Sequence, residues 1–259
     1  MKKSVLLLSI CALLGACKSK TSTLFEKVEG KTSGIAFENR LEYSEELNPY
    51  TYRNFFNGGG VALGDINNDG LLDIFFSGNI VENKLYLNKG NWTFEDITES
   101  SGTAGKGFWS TGATFVDINA DGWLDLYVCK SGPPSDDPGR KNALYINQQD
   151  GTFKESAADF GLDFNGLSTH AAFFDYDKDG DLDCYLLTNS LRSLGVGQDI
   201  IEGQREIPSA ENAGNKLLRN DNGKFTDVSR QAGIYNSDIG YGLGITLSDY
   251  NQDSWPDIF

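Results

Sequence analysis

Four short acidic segments contain the side chains of this sequence that are best suited to chemistry. In each segment, oxygen-bearing side chains stand at the first, third, fifth and ninth positions, and three segments have glycine at the sixth. A Ca²⁺ ion takes about six to eight oxygen ligands, which the alternate residues of a tight loop can supply. Glycine at the sixth position allows the sharp turn that such a loop needs. The spacing therefore predicts four calcium sites, at residues 65–73, 117–125, 175–183 and 249–257.

The predicted ligands occupy the same places in each segment, which we call an acidic loop and number from its first aspartate. Position 7 is expected to contribute its backbone carbonyl and the other positions their side chains. The four ligand sets are Asp65, Asn67, Asp69, Leu71 and Asp73; Asp117, Asn119, Asp121, Trp123 and Asp125; Asp175, Asp177, Asp179, Asp181 and Asp183; and Asp249, Asn251, Asp253, Trp255 and Asp257.

Two differences among the acidic loops are expected to affect metal binding. The third loop has an aspartate at every side-chain ligand position and is predicted to bind Ca²⁺ most tightly. The fourth loop has Ser254 where the others have glycine, which predicts a weaker or distorted site. An EF-hand is disfavoured because its loop ends on glutamate at the twelfth position between helices, and Mg²⁺ because it keeps its waters.

The acidic loops belong to a longer repeat, whose first aspartates are 52, 58 and 74 residues apart. An Asn-x-Leu segment follows each of the first three loops, and a segment that begins with phenylalanine comes next. The core unit is constant and one connection varies in length. The segments are 83–88, 142–147 and 215–220 for the first kind, and 94–97, 153–156 and 225–228 for the second.

Each unit is predicted to form four short strands, one on each side of the acidic loop and one in each following segment. Four antiparallel strands in about 50 residues are typical of a β-propeller blade, so the expected fold class is an all-β propeller. Three complete units and two partial ones predict an incomplete ring, although a four-bladed ring remains an alternative. Residues 25–28 resemble the fourth strand of a unit and are expected to supply a strand to the last blade.

These motifs resemble the FG-GAP/VCBS repeats, the calcium-binding blades that also form integrin α-subunit propellers. Residues 33–37 and 54–65 further resemble the N-terminal part of the ASPIC/UnbV, cartilage-acidic-protein-like family. That resemblance implies a propeller of about seven blades followed by a small C-terminal domain. The chain is accordingly expected to be the N-terminal part of a longer protein.

The N-terminus is predicted to be a targeting segment. Residues 1–16 combine two lysines with a short apolar run, which is too short to span a bilayer and indicates an export signal. The sequence that ends at Cys17 resembles a bacterial lipobox, which predicts lipidation of Cys17 and a tether over residues 17–24, before blades over 25–259. An ordinary signal peptide is the alternative. The expected location is the outer membrane, on its periplasmic face or at the cell surface.

Charge and composition narrow the possible partners. The 259 residues carry a formal net charge of −15, which disfavours nucleic acids and anionic membrane surfaces. Thirteen acidic side chains lie at ligand positions of the acidic loops, so the remainder of the chain is nearly neutral. The acidity therefore indicates metal binding rather than a partner. Cys129 and Cys184 could form a disulfide, but two buried thiols are favoured because the cysteines lie at different offsets of the repeat.

Signals of an enzyme are scarce, and the only histidine, His170, is more easily explained as a structural residue. The connections that vary in length, 131–140 and 190–214, are expected on the face opposite the acidic loops, where they could bind a ligand. The predicted function is a non-enzymatic module that binds a protein or glycan at the cell envelope. The alternative is the N-terminal scaffold of a larger exported enzyme whose catalytic residues lie beyond residue 259.

Overall fold

A computed structural model describes residues 23–132, 139–189, 213–234, 236–237 and 240–259. The regular secondary structure of the described chain is mainly β-strand, with three single helical turns. The strands are β1 Val61–Gly64, β2 Asp73–Phe76, β3 Lys84–Asn88, β4 Phe94–Asp96, β5 Trp109–Val116, β6 Asp125–Ser131, β7 Ala143–Asn147, β8 Phe153–Glu155, β9 Ser168–Phe174, β10 Asp183–Thr188, β11 Lys216–Asn220, β12 Phe225–Asp227, β13 Leu247–Ser248 and β14 Asp257–Ile258. The helical turns are α1 Gly30–Ser33, α2 Thr98–Ser101 and α3 Ala157–Phe160.

The strands form three four-stranded antiparallel sheets and one two-stranded sheet, and sequential strands pair within each. This arrangement confirms the prediction of propeller blades in an incomplete ring. Each acidic loop joins the first and second strands of its sheet, so the loops share one face of the molecule, the acidic-loop face. The second strands end, and the third strands begin, on the opposite face.

The blades are arranged in an arc, and the first strands of successive blades lie side by side at its centre. Thr111 and Thr114 of β5 donate side-chain hydrogen bonds to the carbonyls of Ser168 and Ala171 in β9, at 2.8 and 2.9 Å. A Cβ on Gly60 would lie 2.6 Å from the carbonyl oxygen of Thr111. Glycine before β1 thus permits an approach that a larger residue would prevent.

The asparagine that opens each Asn-x-Leu segment holds the second and third strands together at their ends on the opposite face. Its side-chain oxygen accepts a hydrogen bond from a backbone N–H at the end of the second strand in all three blades. Because Asn83 and Asn142 are buried, these bonds satisfy polar groups that water cannot reach. The pairs are Asn83 with Gly78, Asn142 with Lys130, and Asn215 with Thr188.

Apolar side chains pack between neighbouring blades. One cluster joins the first and second blades through Phe75, Leu85 and Leu126, and another joins the second and third. Cys129 and Cys184 both belong to the second cluster as buried, free thiols, and burial raises the pKa of each. They act as small apolar core residues, as the sequence favoured.

The segment before the first blade repeats the end of a blade. In α1, α2 and α3 the helical turn is followed by a glycine at φ 80–82°, namely Gly34, Gly102 and Gly161. A Cβ on Gly34 would lie 2.4 Å from the carbonyl oxygen of Phe94, and one on Gly161 would lie 2.8 Å from that of Phe225. Residues 30–34 therefore pack on the first blade as each blade end packs on the next.

Residues 25–28 are exposed and outside the strands of the described chain, so their pairing with a last blade stays a prediction. Within the described residues, no helix is long and apolar enough to cross a membrane. The predicted signal, Cys17 and most of the tether lie outside the described residues.

Candidate metal centre

All four acidic loops have the same backbone hydrogen bonds. The aspartate at position 1 accepts from the N–H groups of positions 5 and 6, and the aspartate at position 5 accepts from that of position 7. In the first loop these distances are 3.1 Å from Asp69 N to Asp65 Oδ1, 2.7 Å from Gly70 N to Asp65 Oδ2, and 2.8 Å from Leu71 N to Asp69 Oδ1. The carboxylates therefore organise their own loop before any ion is considered.

Two positions of each loop adopt a left-handed backbone conformation. Position 6 has φ 84°, 86° and 99° at Gly70, Gly122 and Gly180, and Ser254 follows them at 71°. The Ser254 N–H also donates to Asp249 Oδ2 at 2.9 Å, as the glycines do to their first aspartates. The fourth loop thus keeps the conformation of the others, at the cost of a side chain in an unfavourable region. The second left-handed position is 4, occupied by Asn68, Ala120, Lys178 and Gln252.

Replacing Ser254 by glycine should raise the free energy of unfolding by about 0.5–1 kcal/mol, because glycine adopts this φ without steric strain. Urea denaturation of wild type and Ser254→Gly would measure the change. Ser248→Gly is the matched control in β13, where glycine should lower stability. A loss of stability in Ser254→Gly would contradict the interpretation.

The third loop concentrates carboxylates most closely. One oxygen each of Asp175, Asp177 and Asp183 lies within 4.8 Å of the others, which no other carboxylate trio of the described residues matches. In the other loops, position 3 is an asparagine whose amide donates to the aspartate at position 5, at 2.9–3.1 Å. Asp177 cannot donate, and its buried Oδ1 has no hydrogen-bond partner among the described residues. A hard divalent cation would satisfy this oxygen together with the neighbouring carboxylates, so the donor set fits such an ion.

Asp181, at position 7 of the third loop, adds a carboxylate that the sequence analysis credited only with a backbone carbonyl. Its Oδ1 is also buried without a partner among the described residues, and Oδ2 accepts from Asn222 N at 3.3 Å. Burial raises the pKa of Asp181, and the neighbouring carboxylates Asp179 and Asp177 raise it further. The third loop is therefore more strongly anionic than its predicted ligands alone indicated.

The aspartate at position 9 is the most buried member of the first three loops. Asp73, Asp125 and Asp183 are fully buried, and each accepts two backbone hydrogen bonds. For Asp125 the donors are Ile118 N at 3.2 Å and Asn147 N at 2.8 Å. Burial raises the pKa of Asp125 and Asp183 to about 6, and the other loop carboxylates contribute to the rise. The aspartate at position 9 is thus a predicted metal ligand, and its hydrogen bonds also join the acidic loop to the third strand of the blade.

The asparagine that ends each Asn-x-Leu segment supports position 9, a role that the sequence analysis did not assign. Asn147 donates its N–H to Asp125, and its side-chain Nδ2 donates to Leu124 O at 3.1 Å and to Ile66 O of the neighbouring blade at 2.9 Å. The corresponding N–H bonds are 2.7 Å from Asn88 to Asp73 and 2.8 Å from Asn220 to Asp183. The recurrence of asparagine at this place in three units is the signal that could have identified it.

Replacing Asn147 by alanine should lower the free energy of unfolding by about 2–3 kcal/mol, because the buried carbonyl of Ile66 and the half-buried carbonyl of Leu124 lose their donor. Asn88→Ala should cost about 1 kcal/mol, because Asn88 is half-buried and its Nδ2 contacts only Leu72 O. Chemical denaturation of both variants would measure the difference. Equal losses would contradict a bridging role for Asn147.

Neighbouring acidic loops also contact one another. Asn68, at position 4 of the first loop, donates its side-chain amide to Gly122 O of the second loop at 3.1 Å. Lys178, at position 4 of the third loop, places its ammonium group 3.9 Å from the ring centroid of Trp255 in the fourth. The order of one loop therefore affects contacts of the next.

Repeated four-stranded antiparallel sheets with their first strands side by side define the class of this molecule, a β-propeller. A family model of FG-GAP-like repeats matches residues 65–128 and 134–186. The segments 65–128 and 134–186 are therefore FG-GAP-like repeats, as their motifs indicated. The chain is also similar to cartilage acidic protein 1 of Xenopus tropicalis, with 33% identity over 111 residues. That alignment covers 42% of this chain and 16% of the relative, so the chain spans only a small part of the relative's length.

Proposed function

We propose that the four acidic loops bind Ca²⁺ and that the bound ions stiffen a propeller that serves as a binding module. The buried, unpartnered Oδ1 of Asp177, in a loop of converging carboxylates, carries this proposal. Like charges at such separations repel one another unless a cation neutralises them. The shared hydrogen-bond pattern of all four loops supports extending the proposal from the third loop to the others.

Calcium would stabilise more than the loops themselves. Asp125 and its equivalents join the ligand centre to the third strand, and Asn147 continues this connection to the neighbouring blade at Ile66. Asn68 adds a direct link between the first and second loops. A cation that orders one loop thus orders contacts within its blade and at the blade interface. The proposed role of the metal is structural.

Asp177→Asn provides a sharp test of the third site. The variant should fold, because the other three loops have asparagine at this position. Calorimetric titration with CaCl₂ should show one site roughly tenfold weaker than in wild type, because one carboxylate ligand becomes a neutral amide. MgCl₂ titration of wild type is the control for ion selectivity. Unchanged Ca²⁺ affinity in the variant, or equal affinity of wild type for Mg²⁺, would contradict the assignment.

We further propose that the module acts at the bacterial cell envelope, attached through lipid on Cys17, and binds a protein or glycan on the opposite face. The motif at Cys17 and the long connections 131–140 and 190–214 support this proposal, although Cys17 and residues 133–138 and 190–212 lie outside the described residues. When cell fractions are compared, we expect the wild type in the membrane fraction and the Cys17→Ser variant in the soluble fraction. Wild type found in the soluble fraction would contradict the anchor.

A further inference from the structure

Three of the four blades have a glycine at the same place at or just before the first strand, and the third blade has a different residue there. Counting five residues back from the first aspartate of each acidic loop gives Gly60, Gly112, His170 and Gly244. The chain thus places its only histidine where the other blades have no side chain. A Cβ on Gly112 would lie 2.5 Å from His170 Nδ1, so the glycine of the second blade leaves space for the imidazole of the third.

His170 lines a cavity of about 220 Å³ at the centre of the arc, towards the opposite face. Its wall comes from the starts of β1, β5 and β9 and from the segment before β1. Tyr52 and Trp109 close one side, with their rings in an edge-to-face contact of 5.0 Å between centroids. Thr111, Thr169 and Asn189 add polar groups. The cavity therefore combines aromatic walls with hydrogen-bonding side chains, as binding sites for small ligands do.

Two of these polar groups have no partner among the described residues. They are Thr169 Oγ1 and Asn189 Oδ1, both of which are buried. Burial lowers the pKa of His170, which favours an imidazole with one donor and one acceptor at neutral pH. Unpartnered buried groups cost free energy that a bound ligand can recover.

The side chains that line the cavity indicate which class of ligand it can bind. Among the described residues, the lining contains no carboxylate, lysine or arginine, so these residues offer no charge to balance a cation or an anion. The volume lies below the roughly 300–1,000 Å³ of sites for drug-sized ligands, which favours a single small ring. Hydroxyl groups can both donate to and accept from the imidazole and amide groups present. An uncharged, hydroxyl-rich ring satisfies all three conditions.

We propose that this axial cavity binds one neutral sugar residue, with His170 and Thr169 as hydrogen-bonding ligands. The proposal deepens the proposed function, because it rests on the opposite face being the binding face and names the chemical class of its ligand. It concerns a different place in the blade from the acidic loops. Calcium binding and sugar binding can therefore be tested separately.

The test is saturation-transfer NMR on the whole chain in CaCl₂, with glucose, galactose and N-acetylglucosamine as uncharged probes. Glucuronate and inorganic phosphate are the charged probes. We expect saturable binding of at least one uncharged sugar and none of the charged compounds. His170→Gly should weaken that binding at least about tenfold, and it should fold because glycine stands here in the other blades. Thr169→Val should also weaken binding, whereas Thr226→Val on exposed β12 should not.

The proposal is overturned if no uncharged sugar binds, if phosphate or glucuronate binds more tightly, or if His170→Gly binds as wild type does. The same samples are melted with and without CaCl₂. If the melting temperature depends on calcium but no sugar binds, the sugar site is refuted and the metal assignment is retained. If a sugar binds but calcium does not change the melting temperature, the metal assignment is refuted and the sugar site is retained.

Discussion

We expect chelation of Ca²⁺ with EDTA to lower the melting temperature of the protein by about 10 °C, and excess CaCl₂ to restore it. At a free Ca²⁺ concentration one hundred times its dissociation constant, one site adds about 2.7 kcal/mol to the free energy of unfolding. The melting temperature of a domain of this size changes by about 2–4 °C per kcal/mol. Two such sites of the four already give the expected shift. The physical basis is the convergence of Asp175, Asp177 and Asp183, whose mutual repulsion a bound cation would relieve.

Differential scanning calorimetry at constant ionic strength measures this shift. NaCl and MgCl₂ at matched ionic strength are the controls, because simple screening would raise the melting temperature with any of the salts. An unchanged melting temperature in EDTA would refute a structural role for calcium. A rise with NaCl equal to the rise with CaCl₂ would show screening rather than site binding.

Replacing Asp125 by alanine should destabilise the protein by about 4 kcal/mol even in EDTA. Asp125 is fully buried and accepts hydrogen bonds from Ile118 N and Asn147 N, so its removal leaves two buried donors at about 1–3 kcal/mol each. Asp121→Ala removes a ligand of the same loop that is exposed. It should lose Ca²⁺ binding yet change stability in EDTA by less than about 1 kcal/mol.

Urea denaturation of wild type, Asp125→Ala and Asp121→Ala, each with EDTA and with CaCl₂, separates the two roles. In CaCl₂ both variants should be less stable than wild type, and in EDTA only Asp125→Ala should be. Equal stabilities of the two variants in EDTA would mean that position 9 acts as a ligand alone.

The strands could be predicted closely from the repeat. The segment 83–88 predicted for the third strand of the first unit contains β3 at Lys84–Asn88, and the segment 94–97 contains β4 at Phe94–Asp96. Strand pairs joined by short turns depend on local sequence, which explains this agreement. Position 4 of the loops was not predicted as left-handed, because Ala120 and Lys178 are not residues that favour that conformation.

The sequence by itself determined the blade repeat, the register of the acidic loops and the types of their ligands, because these depend on spacing along the chain. Only the tertiary structure decided which of these groups are buried and what they contact across blades. Asn147 reaches Ile66, 81 residues away, and His170 meets Gly112 of another strand. Burial and long-range contact depend on how blades pack, and the same packing that stacks the blades creates both the buried carboxylates and the axial cavity.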